Sequence, residues 1–261
     1  SETDPRTACR IFKKEFKYGL RRPNKDEIYF CELRKWIENL GVLVFRGTYS
    51  GTNSKATLNI EEFRGFSISD EYAPLIFING NDSYSAQIFS LIHEFAHILI
   101  NKSGISQNLT VDYDNHHKVE RWCNGFAAEF LVPDAEFNAV LDRKNEIFKE
   151  TERLSDIFKV SQLVILNKVY SLKLIDRINF ISMFEKAKLY AVSQYKRSKD
   201  QEKSKNGNPS VIAVKKSFLS ASFLQSVVSS VYSGTLRYTD AFKLLCIKND
   251  FIFNKLANDL Y

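Results

Sequence analysis

The segment from Ile88 to Ile100 is apolar enough to read as a buried helix, yet it carries His93-Glu94-Phe95-Ala96-His97 in its middle. A helix enclosed on all sides tolerates polar rings only where they find partners. Residues i and i+4 project from the same face of a helix. Both imidazoles can therefore reach one metal ion, while Glu94, rotated to the side, faces whatever the remaining position of that ion holds. Only four histidines occur in 261 residues, so chance would produce a His-Glu-x-x-His in on the order of 1% of such chains. A pair of satisfied core histidines is the weaker alternative. Zinc hydrolases use this arrangement.

Such a site needs a third protein ligand, and the next helical stretch, Val119 to Leu131, stopped by Pro133, offers two carboxylates. Glu120 is preferred. A two-His, one-Glu set leaves the fourth tetrahedral position open, and the chain between His97 and Glu120 is long enough for a loop and a returning helix. Glu129 is the competitor, two and a half turns further on and facing roughly the opposite way. Ala127 and Ala128 would let the second helix approach closely. Cys123, three residues from Glu120, could also face the metal.

Composition sets outer limits. The chain is 44% hydrophobic with 21 Phe and 12 Tyr, enough for a substantial core in one large domain or two small ones. The longest apolar stretch is broken by His93, Glu94 and His97 and the amino terminus lacks an apolar block, so no membrane span and no secretion signal is expected. A cytoplasmic location follows as an expectation. Cys9, Cys31, Cys123 and Cys246 form no Cys-x-x-Cys pair. They read as reduced, mostly buried thiols rather than a cysteine-based zinc site or a disulfide framework. The formal charge of +6 is modest and spread out, and is no evidence for DNA by itself.

Along the chain, apolar spacing predicts a helix over Lys25 to Leu40, ended by Gly41. Strands are expected at Val42–Phe45, Ala56–Ile60, Gly65–Ser69 and Leu75–Ile78. The edge strand of such a sheet can hold an extended peptide by backbone pairing, and Phe66–Ser69 or Leu75–Ile78 could serve. Ser83 or Ser85 caps the histidine helix. Asn101 to His116 reads as a loop bordering the cleft, with Asp112 and Asp114 as turn or capping residues. Its Tyr113, together with His116 and His117, could donate to an oxyanion or touch substrate.

The stretch from Leu91 to Ile100, followed by Glu120-Arg121-Trp122-Cys123-Asn124-Gly125-Phe126-Ala127-Ala128-Glu129-Phe130-Leu131-Val132-Pro133, resembles the ImmA/IrrE-type metallopeptidases. That family shows Glu, Asn four later, then Phe-Ala-Ala and a Pro after two apolar residues. Glu61–Phe66 and Ala73–Asn79 also look like its strands, and the resemblance covers about residues 25 to 175. It implies an α+β fold: a zincin-like domain with a small sheet and a His-Glu-x-x-His helix, followed by a mainly helical carboxyl-terminal region. It implies Zn2+ held by His93, His97 and Glu120, with Glu94 as general base and then general acid in peptide hydrolysis. It also implies a protein substrate, a helix-turn-helix repressor or antitoxin-like regulator from a phage or mobile element. The family often carries an amino-terminal DNA-binding helix-turn-helix, for which Ser1 to Asn24 is too short; that domain could lie outside this chain.

The expected organisation is a peptidase domain over 1–150, a helix-turn-helix-like extension over 151–195, a flexible basic linker over 196–209 and a helical segment over 210–261. Two short patterns, around Arg153–Val169 and Tyr238–Leu260, resemble winged-helix-like pieces of the family. Their second helices show few cations, Lys168 in one and Lys255 in the other, whereas a DNA reader needs several. Packing or partner docking is favoured over nucleic-acid binding. A non-cleaving regulator that binds a repressor or toxin, and a DNA-binding regulator with a structural metal, are the alternatives from other classes.

Overall fold

Several helix starts in this chain are set by short polar side chains, those of Asp4, Ser83, Ser210, Ser220 and Asn249, that each satisfy one of the first free N–H groups. In the computed structural model, residues 3–19, 21–49, 57–101, 104–105, 113–204 and 210–260 are described, with backbone alone for 104–105, 113–116 and 194–204. The elements in chain order are α1 (Pro5–Glu15), α2 (Asp26–Asn39), β1 (Leu43–Gly47), β2 (Gly65–Ile68), β3 (Leu75–Asn79), α3 (Tyr84–Leu99), β4 (Gly104–Ile105), α4 (Tyr113–Leu131), α5 (Asp134–Val140), α6 (Ile147–Phe158), α7 (Gln162–Ser171), α8 (Arg177–Ser204), α9 (Val211–Phe218), α10 (Ala221–Tyr232), α11 (Tyr238–Leu244) and α12 (Asp250–Asn258). The fold is mixed α+β. Among the described residues, no single helix is long and apolar enough to cross a membrane. The chain forms two units: residues 1–32, 83–96 and 109–206 make the first, and 33–82, 97–108 and 207–261 the second.

In the first unit, α1 opens with Asp4, whose carboxylate accepts from the Thr7 N–H at 3.1 Å, and with Pro5 in the first turn, where its missing N–H costs nothing. α1 lies against α4. Phe12 places its ring centroid 5.5 Å from that of Phe95 on α3 and 6.0 Å from that of Phe126 on α4. Gly125 is needed for the close approach, since a Cβ there would stand 2.9 Å from Pro5 Cγ. Two cations close the far end of α4: Lys13 Nζ donates to the Phe130 carbonyl at 2.5 Å and Arg22 to the Leu131 carbonyl at 3.0 Å. Positive charge at a helix carboxyl end is favourable there.

A buried ion cluster ties α4 to its neighbours. Glu129 accepts from Arg10 Nε at 3.1 Å and from the Asp134 N–H at 3.2 Å. Lys168 of α7 reaches Glu129 at 3.3 Å and Asp134 at 2.6 Å. Lys168 is thus 5% exposed and is not the surface cation expected from the sequence. The buried acid opposite it accounts for the difference.

Two carboxylates of this unit are tuned for acid sensitivity. Burial raises the Asp134 pKa, but the Lys168 hydrogen bond and the charges of Lys168, Arg6 and Arg10 outweigh it and hold Asp134 below its usual range. Glu150, hydrogen-bonded to Arg153 and also accepting from Asn145 and the Asp142 N–H, is lowered to about 2. Since both folded-state values lie below the unfolded ones, the stabilisation is complete above the ordinary carboxylate range and is lost as pH falls. Thermal melts from pH 6 downward are expected to hold level to roughly pH 5 and then drop steadily towards about pH 2; Glu150→Gln should flatten the lower part of that curve.

The second unit holds the sheet, in the order β1-β3-β2-β4. β1 runs parallel to β3, with Phe45 opposite Phe77, and β2 runs antiparallel to β3, with Phe66 opposite Phe77. β4 pairs antiparallel with β2 at Phe66 and Ser67. Alternation sends Val44, Ile76, Ile78 and Ser67 to a buried face and the three phenylalanines to a half-buried one. Phe218 of α9 and Phe223 of α10 pack onto Phe45 at 6.0 and 5.4 Å between ring centroids. Behind them Leu224, Val228, Ala241, Leu245, Phe253 and Leu256 form one buried cluster of α10–α12. Arg34 of α2 fixes this assembly: it pairs with Glu38 and donates to the carbonyls of Val44, Ser217 and Leu219, while Glu38 accepts from the Ala221 N–H at 3.3 Å.

Several expectations are corrected. Residues 57–60 form no strand: Thr57 makes a single bridge to Tyr49, and Asn59 turns the chain by accepting from the Glu61 N–H. Leu75–Ile78 is interior, paired on both sides, and the outer edge of β2 carries β4, so neither expected segment is a free sheet edge; β1 and β4 take the ends of the order. The basic stretch read as a linker is helical to Ser204, because no Gly or Pro interrupts it before Gly207; residues 205–209 lie outside the described residues. The loop after α3 is shorter than expected, since α4 begins at Tyr113. Cys31 and Cys246 are exposed, leaving only Cys9 and Cys123 buried. Ser161 occupies the first cap position of α7 without a side-chain bond.

Candidate metal centre

α3 begins where Ser83 Oγ accepts from the Ala86 N–H at 3.3 Å and Ser83 O from the Gln87 N–H at 2.8 Å. Its Ile, Leu, Phe and Ala side chains pack in all directions: Ile88, Leu91, Ile92, Phe95 and Ala96 are buried, as are His93, Glu94 and His97. The helix ends at Leu99, and Asn101, two residues on, adopts the left-handed conformation that Asn tolerates. His93 and His97 therefore stand one turn apart on an enclosed helix. Phe89, one turn before His93, stacks on its ring at 6.3 Å between centroids. Sequence reading did not single out Phe89, though its i−4 spacing on the same face was the available signal.

α4 brings the third group. Glu120 Oε2 lies 3.2 Å from His93 Nε2. One ligand atom from each of His93, His97 and Glu120 falls within 4.8 Å of the other two. Zinc bonds to N and O run about 2.0–2.2 Å, so tetrahedral ligand atoms stand roughly 3.4 Å apart. The His93–Glu120 separation matches that edge, and two imidazoles with one carboxylate form a donor set suited to a divalent transition metal. The residues fit a metal ion.

The competing candidates separate cleanly. Glu129 is engaged by Arg10, Lys168 and the Asp134 N–H, which explains why a carboxylate is needed there without any metal. Cys123 is buried but does not join the converging group. Tyr113, His116 and His117 all lie in the first turns of α4 rather than in a loop. His117 is exposed, one turn before Glu120, and its carbonyl accepts from Arg121 Nε at 3.1 Å; the side chains of Tyr113 and His116 lie outside the described residues.

A match to the sequence model of the IrrE N-terminal-like domain, the peptidase M78 family, spans residues 38–170. A second, described as a domain of unknown function (DUF8813), spans residues 219–259 and so coincides with α10–α12. No curated protein matches the chain. The family match covers β1 to α7, including the helix that carries His93, Glu94 and His97 and the helix that carries Glu120, over just more than half of the sequence, and the chain belongs to the M78 family of metallopeptidases.

Proposed function

We propose that this protein is a zinc-dependent endopeptidase of the cytoplasm that cuts a helix-turn-helix repressor or an antitoxin-like regulator. The convergence of His93, His97 and Glu120 next to the buried Glu94 carries the reading. His93 and His97 through ring nitrogens and Glu120 through a carboxylate oxygen would hold the ion. When bound, zinc supplies Lewis-acid polarisation of a carbonyl and acidifies water towards neutral pH. A carboxylate oxygen of Glu94 takes a proton from the attacking water and returns it to the departing amide nitrogen, acting as base and then acid. Burial of Glu94 keeps competing solvent from that oxygen. His117, with Tyr113 and His116 in the preceding turn, supplies candidate donors for substrate or for the developing oxyanion.

The helix pairs α6–α7 and α11–α12, joined through the left-handed residues Lys159 and Cys246, serve as docking elements for the protein partner. The burial of Lys168 removes one of the few cations a DNA reader would have used. Zinc titration of purified protein tests the metal assignment: Glu120→Ala is expected to weaken binding at least about 100-fold with the fold retained by circular dichroism. Unchanged affinity would reject Glu120 as a ligand. Co-expression with a neighbouring helix-turn-helix regulator should give a fragment that requires Glu94 and Glu120, and an intact regulator would reject the substrate.

A further inference from the structure

Residues 171–218 lie between the two family matches, and α8 occupies most of that interval. One face of α8 is already used. Phe180 stacks on Tyr170 at 4.5 Å between centroids, Phe184 lies 5.3 Å from Phe180, and Ala187 is buried. At about 100° per residue these point to one side, while Ile178, Ile181, Glu185, Leu189 and Val192 fall within an arc of about 80° on the other. Their exposure is high, 81% for Ile178, 51% for Ile181, 71% for Leu189 and 48% for Val192. A helix face that simply meets water carries polar residues. A row of exposed branched aliphatic side chains, broken only by Glu185, marks an interaction surface.

The row has a further property. Its intervals are 3, 4, 4 and 3 residues, so it reads the same from either end with Glu185 at the centre. A two-fold axis through Glu185 superposes Ile178 on Val192 and Ile181 on Leu189. Two copies of α8 laid antiparallel would therefore place aliphatic against aliphatic in every layer but the central one, through 3- and 4-residue steps of the kind by which helices interlock. The middle layer is balanced by charge. Each Glu185 would meet its symmetry mate, and Lys188, one turn along on the same side, lies within reach of the other copy's carboxylate. Ser182 opposite it leaves room.

We infer that α8 is a self-association surface and that its occupant is a second copy of this chain, antiparallel and centred on Glu185. The contact is smaller than the roughly 800 Å² per partner of a standard stable interface, so association is expected in the micromolar range. The test uses the full chain carrying Cys31→Ser and Cys246→Ser, which removes the two exposed thiols. Only a residue on the axis meets its own copy within the ~4.4–6.8 Å Cα span of a disulfide. Glu185→Cys should form a covalent dimer under mild oxidation with diamide. Ile178→Cys should not do so alone, but should when mixed with Val192→Cys. Sedimentation of unoxidised protein should show reversible dimers that Leu189→Glu abolishes and that Glu185→Leu tightens about tenfold. A monomer at all concentrations up to about 200 µM, or cross-linking of Ile178→Cys to itself as readily as Glu185→Cys, overturns the proposal.

Discussion

Glu94→Gln is expected to lower peptide hydrolysis by about 10²–10⁴-fold, the range for loss of a positioned general base, while zinc content stays at that of the unchanged protein. Glu94 is fully buried on α3, and glutamine has nearly the same shape, so neither cavity nor helix break should accompany the change. The expected effect falls on kcat more than on KM, because the proton is moved only during the reaction. Assay of a cut regulator together with metal analysis separates the outcomes. Full turnover in Glu94→Gln would sink the mechanism while leaving the metal site intact, and loss of zinc would instead assign Glu94 a role in holding the ion's surroundings.

The second large effect concerns stability. Lys168→Met should remove the buried cation that joins Glu129 and Asp134 and leave the buried Glu129 carboxylate with one cation in place of two. Removing one member of a buried pair costs on the order of 3–5 kcal/mol, partly relieved here because Arg10 still reaches both carboxylates and Arg6 still reaches Asp134. At about 2–4 °C per kcal/mol for a chain of this size, a fall of roughly 10 °C in the first unfolding transition is expected by calorimetry. The double variant Lys168→Met, Glu129→Gln should recover part of the loss, since it removes the stranded charge as well. A melting shift within about 2 °C would show that water, rather than the ion pair, solvates Glu129.

What could be read in advance follows from range. The histidine helix was legible because its information is local: an apolar run, a serine cap and two rings four residues apart. α2 was legible for the same reason, and its observed limits differ from the expected ones by one residue at each end. Glu120 could be preferred because the distance from His97 suits a returning helix, but the decision against Glu129 rests on Arg10 and Lys168, which come from α1 and α7. Local spacing does not reveal such partners. Strand order is a non-local property as well: nothing in Leu75–Ile78 by itself says that β1 would take its other side. The helical course of 196–204 is masked by its charge density, which is typical of a solvated linker, although no helix-breaking residue occurs in it.

The grip of Arg34 on Ser217 and Leu219 spans more than 180 residues of chain, and that separation has a meaning in time. At about 5–20 residues per second, a ribosome that has just released β1 needs on the order of ten seconds or more before Phe218 and Phe223 emerge to cover Phe45. Until then the aromatic side of the young sheet has no lid of its own. That side is therefore open to chaperones during synthesis, before the chain is complete.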